Sequence, residues 1–125
     1  MQGYNCIMVF STDSKKLLFC KRRKDPYKGL YNLVGGKIEA EEEGMTAGGN
    51  DIELSHMMDF TYYNQNCYVE VYAGILKQEV ELREEANPLI WLAVTENYFD
   101  LTRFAGEGNI GHMLEQVLQY GMGNR

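Results

Sequence analysis

At 125 residues, with 45% hydrophobic and 12% aromatic side chains, the chain is the size of one compact domain with its own core, which excludes a disordered segment. Eighteen acidic against twelve basic residues give a net charge of −6 and a pI near 4.9, which excludes a nucleic-acid duplex as partner, because such binding is driven by cations neutralising phosphates. Cys6, Cys20 and Cys67 show no CxxC spacing, and no segment is apolar enough to span a bilayer or act as a basic leader. The reading is therefore a single soluble, cytoplasmic domain over residues 1–125, with reduced thiols and no membrane partner.

Asn5 to Ser11 and Lys16 to Cys20 are apolar runs joined by the turn formers Thr12-Asp13-Ser14, which predicts a β-hairpin. Lys21 to Gly29 carries charge and Pro26 and reads as a loop. Its cations Lys21, Arg22, Arg23, Lys24 and Lys28 either draw phosphates to one mouth of an acidic protein or form a solvated basic loop. Residues from Asp51 to Tyr63 alternate, with Ile52, Leu54, Met58, Phe60 and Tyr62 on one side, which predicts a strand. His56 falls on that apolar side as a semi-buried, hydrogen-bonded histidine without a functional role.

Asn64-Gln65-Asn66 reads as a turn, and Cys67 to Leu76 alternates again, giving a second hairpin. After the charged stretch Lys77 to Asn87, Pro88 opens the run Leu89 to Val94, a further strand whose Trp91 packs in the core. Ile110, Met113, Leu114, Val117 and Leu118 recur at helical spacing before Gly121, so the chain ends on an amphipathic helix packed on a mixed sheet.

Gly29-Leu30-Tyr31-Asn32-Leu33-Val34-Gly35-Gly36-Lys37-Ile38-Glu39 joins an apolar stretch to two glycines and a carboxylate. The glycines serve either a structural turn or a close approach of backbone to a ligand. This segment resembles the entry to the Nudix box, Gly, five residues, Glu, seven residues, then Arg-Glu-apolar-x-Glu-Glu-x-Gly-apolar, with Gly36 and Glu42 fitting its opening. Arg22-Arg23, Gly29, Asn32 and the later strands and helix extend the resemblance over nearly the whole chain. It implies an α/β fold, a Nudix-type mixed β-sheet sandwich with a C-terminal helix.

The box's second half departs from the pattern. Counted in register from Gly36, Asn50, Asp51, Ile52, Glu53, Leu54 and Ser55 stand where Arg-Glu-apolar-x-Glu-Glu belongs. Strand periodicity instead makes Asp51 to Tyr63 the strand that follows the box, so that the box helix is missing or truncated. Gly44-Met45-Thr46-Ala47-Gly48-Gly49 is too short and too glycine-rich to supply it. Gly48-Gly49 then marks an engineered splice, a natural loss, or a stretch present in the molecule and absent from the sequence as written.

The resemblance implies hydrolysis of nucleoside diphosphate-linked compounds with Mg²⁺ or Mn²⁺, hard cations that require oxygen ligands. Gly36, Glu39 and Glu42 are the matching metal ligands, and Glu39, Glu42 and Glu70 the catalytic carboxylates, with Glu70 facing either the site or solvent. Glu41 and Glu43 read as a solvated acidic loop. Tyr31-Asn32 resembles enzymes of oxidised purine nucleoside triphosphates such as 8-oxo-dGTP, which makes Asn32 a base reader or else a turn-stabilising asparagine. In the same terms Phe104 stacks on the base, Glu107 accepts from purine N–H groups, and Arg23 and Lys37 contact phosphates. Three readings follow: a metal-dependent pyrophosphohydrolase impaired by the missing helix, a non-catalytic nucleotide-binding module, or an engineered deletion variant kept for its fold.

Overall fold

The computed structural model describes residues 1–37, 52–82 and 87–120. Six strands form one sheet: β1 (Gln2–Phe10), β2 (Lys16–Lys21), β3 (Tyr31–Lys37), β4 (Ser55–Tyr62), β5 (Cys67–Ile75) and β6 (Leu89–Ala93). The helix α1 (Asn109–Tyr120) follows them. Strand order across the sheet is β4-β5-β1-β3-β2-β6.

The first predicted hairpin is corrected by this order. β1 and β2 meet only beside their turn, at Phe10 and Leu17, and then part. β3 enters the opening, pairing Ile7 with Val34 on one side and Phe19 with Leu33 on the other. The apolar runs are real, but their strong pairing is with a later segment, because β3 offers both neighbours a full ladder where the turn offers only one contact. The Gly-Gly turn is also absent, since Gly35 and Gly36 lie inside β3. Gly35 has φ of 137°, and a Cβ there would stand 2.1 Å from the Asn5 carbonyl oxygen. A strand crossing so close to its neighbour requires glycine at that point.

β5 runs parallel to β1 over its whole length and antiparallel to β4, which confirms the second hairpin. Tyr63–Gln65 forms a single 3-10 turn between β4 and β5, and Asn66 closes it in left-handed backbone at φ 53°. Asparagine tolerates that conformation better than other side-chain-bearing residues.

Both faces of the sheet are covered, so β1 and β2 read as continuous apolar runs instead of alternating ones. On the α1 face, Met8, Phe10, Leu17, Phe19, Val71 and Ala73 pack against Ile110, Met113, Leu114 and Val117 of the helix. On the other face, Ile7, Val9 and Leu18 pack with Ile52 and Leu76, and Trp91 and Leu54 lie against them. Trp91 is thus partly buried on that second face. Leu118, counted in the helix's apolar stripe, is 36% exposed and sits at its edge.

β4 carries a register shift between His56 and Met58. Met57 and Met58 both pack toward the α1 core, which is how a bulged residue turns one side chain to the other face. His56 is therefore exposed beside its cross-strand partner Tyr72, and its Nε2 lies 2.7 Å from the Asp59 carboxylate. The single apolar side expected from unbroken alternation is corrected by one extra residue: Ile52 and Leu54 pack on the second face, Met58 and Phe60 on the α1 face, and His56 is exposed though hydrogen-bonded as expected.

Candidate functional site: an amide-lined cleft at the start of α1

α1 crosses one end of the sheet and leaves the other end open. There a cleft of about 710 Å³ forms between the first half of β1, the loop after β2, β3, the end of β4 and the residues that lead into α1. Tyr4 and Cys6 of β1, Asn32, Leu33 and Gly35 of β3, and Tyr62 of β4 line it, with Cys67 and Val69 of β5. Arg22, Pro26 and Tyr27 come from the loop, and Gly106, Glu107, Asn109, Ile110 and Met113 from the helix entry. The lining combines an apolar floor with amides, phenols, one guanidinium and one carboxylate, the mixture by which concave sites orient a small ligand.

Backbone pairing fixes the helix entry. Tyr31 donates its N–H to the Arg103 carbonyl at 2.8 Å and accepts from the Ala105 N–H at 2.9 Å, so residues 103–105 run beside the start of β3. Gly106, Glu107 and Gly108 then all take positive φ, of 87°, 54° and 90°, which throws the chain outward and sets Glu107 at the cleft mouth. The Tyr27 hydroxyl, across the mouth, donates to Glu107 Oε2 at 2.8 Å. Desolvation, with help from that carboxylate, pushes the Tyr27 phenol up to about 12. Asn109, the first residue of α1, donates from its side-chain amide to the Tyr62 hydroxyl and ties β4 to the helix start.

All three cysteines line the cleft. Burial, with Cys20 nearby, pushes the Cys6 thiol up to about 11, and burial also raises Cys20. These two are neutral thiols that act as small apolar groups.

Of the residues expected from sequence to contact substrate, Asn32 and Glu107 are brought together in the cleft. Asn32 Oδ1 accepts the Leu33 N–H at 2.8 Å, a bond that holds its amide in one orientation. Arg23 is outside the lining, with its N–H donating to Asn87 Oδ1, and Arg22 stands at the cleft in its place. Lys37 ends β3 opposite Tyr4. Phe104 is a correction: it is 2% exposed and packs against Phe19, Tyr98 and Tyr31, so no face of its ring is open to a base.

Glu70 is not part of the lining. Val69 and Val71 turn toward the α1 core, so Glu70 between them faces the opposite side, where it accepts from the Tyr72 hydroxyl at 2.9 Å. Glu39, Glu42 and the box segment through Asp51 lie outside the described residues. Tyr27, Tyr62 and Asn109 were missed by sequence reasoning. Asn109 alone had a legible signal, a helix-starting asparagine after Gly108.

The residues described do not assemble a divalent-cation site. Among them no group of three or more His, Cys, Asp or Glu side chains lies close enough to hold a metal. Ile52, at an in-register box position, is 4% exposed and bridges Leu76; Leu54 packs on the face opposite α1; Ser55 opens β4. These positions belong to a strand and its approach, and they bring no carboxylate pair.

The architecture was compared with known proteins. No family model and no curated sequence matches the chain. Solved structures do. The NUDIX domain of Shewanella oneidensis NrtR, complexed with ADP ribose, superposes with a TM-score of 0.65 over 94% of this chain and 86% of that one, at 13% identity. The fold is that of Nudix domains. A MutT structure, from work on Aliivibrio salmonicida and Vibrio cholerae, matches the Nudix fold of this chain at TM-score 0.63 and 16% identity, covering 95% of this chain and 98% of its own. A bifunctional NMN adenylyltransferase/ADP ribose pyrophosphatase from Francisella tularensis, complexed with AMP and a manganese ion, matches at TM-score 0.61 and 16% identity. That match covers 92% of this chain but 41% of the larger enzyme. The Nudix fold therefore accounts for the mixed sheet and terminal helix. Among the described residues no helix is long and apolar enough to cross a membrane.

Proposed function

We propose that this chain is a Nudix-fold nucleotide protein whose cleft captures nucleoside diphosphate-linked compounds, with nucleoside triphosphates, oxidised purines included, as the favoured class. The observation that carries the reading is the cleft itself, where Asn32, Arg22 and Glu107 converge inside that fold. An amide pairs with a base edge by donating and accepting at once, and a guanidinium suits a phosphate. The solved neighbours holding ADP ribose and AMP give the same ligand chemistry for this architecture.

Hydrolysis is the weaker half of this function. Mg²⁺ or Mn²⁺ would neutralise phosphate charge and activate water when bound, and Gly36, Glu39 and Glu42 are the oxygen donors we assign to it. Leu54 and Ser55 add no paired ligands. A chain of this sequence is expected to bind nucleotide and to turn it over slowly or not at all, because lost charge-neutralising ligands remove transition-state stabilisation.

The test is calorimetry with non-hydrolysable GTP, with and without Mg²⁺, beside a hydrolysis panel of dGTP, oxidised dGTP, nucleotide sugars and dinucleotides on protein of verified mass. Binding that weakens by about tenfold in Asn32→Ala is expected, the size of one lost hydrogen bond to a bound group. Absence of binding under both metal conditions would overturn the reading. The second reading, a full hydrolase, is favoured by Glu39 standing two residues beyond the end of β3. Turnover abolished in Glu39→Gln would establish it.

A further inference from the structure

Two residues of the cleft mouth combine an uncommon backbone with a shared contact. Tyr27 has φ of 68° and Glu107 has φ of 54°, left-handed conformations that side-chain-bearing residues adopt at a cost of roughly 1 kcal/mol or more each. They come from separate segments, the loop after β2 and the entry to α1. Their side chains meet across the opening, with the Tyr27 hydroxyl on Glu107 Oε2 at 2.8 Å. Strain kept at two sites that end on one hydrogen bond indicates that the bond has a task at the mouth.

We propose that Tyr27 is a positioning and specificity residue: it engages Glu107 Oε2, so that Oε1 is left as the stronger acceptor for a ligand's N–H edge. This deepens the nucleotide reading above and rests on it. An ionised carboxylate only accepts hydrogen bonds, so Glu107 repels phosphate and selects a donor-bearing base, while Arg22 on the same cleft attracts the anionic end. A free carboxylate takes two adjacent donors in a fork. A carboxylate whose Oε2 already accepts from Tyr27 takes the second donor more weakly, because that oxygen divides its acceptor capacity between two donors. A base with a single ring N–H, such as hypoxanthine, then gains nearly as much from Glu107 as guanine does, and guanine's extra exocyclic N–H₂ brings little advantage.

The experiment is calorimetric titration of wild type, Tyr27→Phe, Glu107→Gln and the double variant with non-hydrolysable GTP and ITP, which differ only in that exocyclic amine. Wild type is expected to bind the two within about twofold of each other. Tyr27→Phe, which keeps the ring and removes the hydroxyl, is expected to favour the guanine nucleotide by about five- to tenfold, the range of one hydrogen bond to a charged group. Glu107→Gln should remove that gain in the double variant. A purely structural role for Tyr27 would weaken both ligands equally and leave their ratio fixed. An unchanged ratio in Tyr27→Phe, or a strong guanine preference already in wild type, overturns the proposal while leaving the nucleotide reading intact. Binding of neither nucleotide by any of the four proteins overturns the nucleotide reading, and this proposal with it.

Discussion

The two ends of β1 lie in one strand and one sheet, yet they do different work. At the C-terminal end Met8 and Phe10 meet α1 and the aromatic group Phe19, Tyr98 and Phe104, with 0–2% of each exposed. At the N-terminal end Tyr4 and Cys6 line a cleft whose other walls are amides and phenols tied together by hydrogen bonds. The difference comes from where α1 lies. A helix that covers one end of a sheet builds a dry core there, and the uncovered end keeps room for a ligand at the positions where the helix begins.

The comparison breaks most severely at the covered end. Phe104→Ala empties the middle of the aromatic group and is expected to cost about 3–5 kcal/mol of stability, read as a lowered urea midpoint at unchanged slope. If Phe104 instead served the cleft, stability would hold and nucleotide binding alone would fall.

Cys6 sharpens the boundary between the two ends. With its thiol pushed up to about 11 from an ordinary value of 9.0, roughly a hundredfold less thiolate is present at pH 8 than in an unshifted thiol. Iodoacetamide at that pH is expected to label Cys6 about a hundredfold more slowly in the folded protein than in urea, measured by peptide mass spectrometry. Equal rates would show that the cleft floor is open water.

The smallest effect is at the mouth. The Tyr27 phenol ordinarily titrates at 10.0 and is raised to about 12 in the folded chain, which favours its neutral form there. Its contribution to stability is thus fully present below pH 10 and is lost as pH rises from 10 through 12. The loss is modest because the group stays partly solvated. Urea unfolding followed from pH 9 to 12 should show this decline reduced in Glu107→Gln, whose amide no longer holds the phenol neutral by charge.

Much of this fold was legible in sequence wherever the signal was local. The alternation of Cys67 to Leu76 and the three-and-four spacing of Ile110, Met113, Leu114 and Val117 specify a strand and a helix on their own, and both formed. The alternation read from Asp51 to Tyr63 formed a strand at Ser55–Tyr62, with Ile52 in a bridge before it and Tyr63 in the 3-10 turn, while Asp51 lies outside the described residues. What was not legible depends on partners. Asn5 to Ser11 and Lys16 to Cys20 carry the same pattern whether they pair with each other or with β3. A bulge at Met57 leaves no mark in composition, yet it puts Met58 and Phe60 on the α1 face while Ile52 and Leu54 stay on the other.

The candidate site was read with the same limits. Asn32 and Glu107 were found through a resemblance in their neighbouring residues and do line one cleft. Phe104 was misread because an aromatic residue before a helix suits a base stack and a core equally well, and only burial decides. Tyr27 sits in a charged loop that gives no hint of a partner eighty residues further along the chain.

The interposition of β3 also governs how the chain reaches its native state. β1 cannot zip onto β2 beyond the turn without closing the slot that β3 must enter, and its other edge waits for β5, synthesised much later. The central strand therefore acquires both of its ladders from distant sequence, which raises contact order and slows folding relative to a meander of the same size. Until those partners arrive, the apolar run Ile7-Met8-Val9-Phe10 presents two unpaired edges, and the nascent chain is at its most aggregation-prone in that interval.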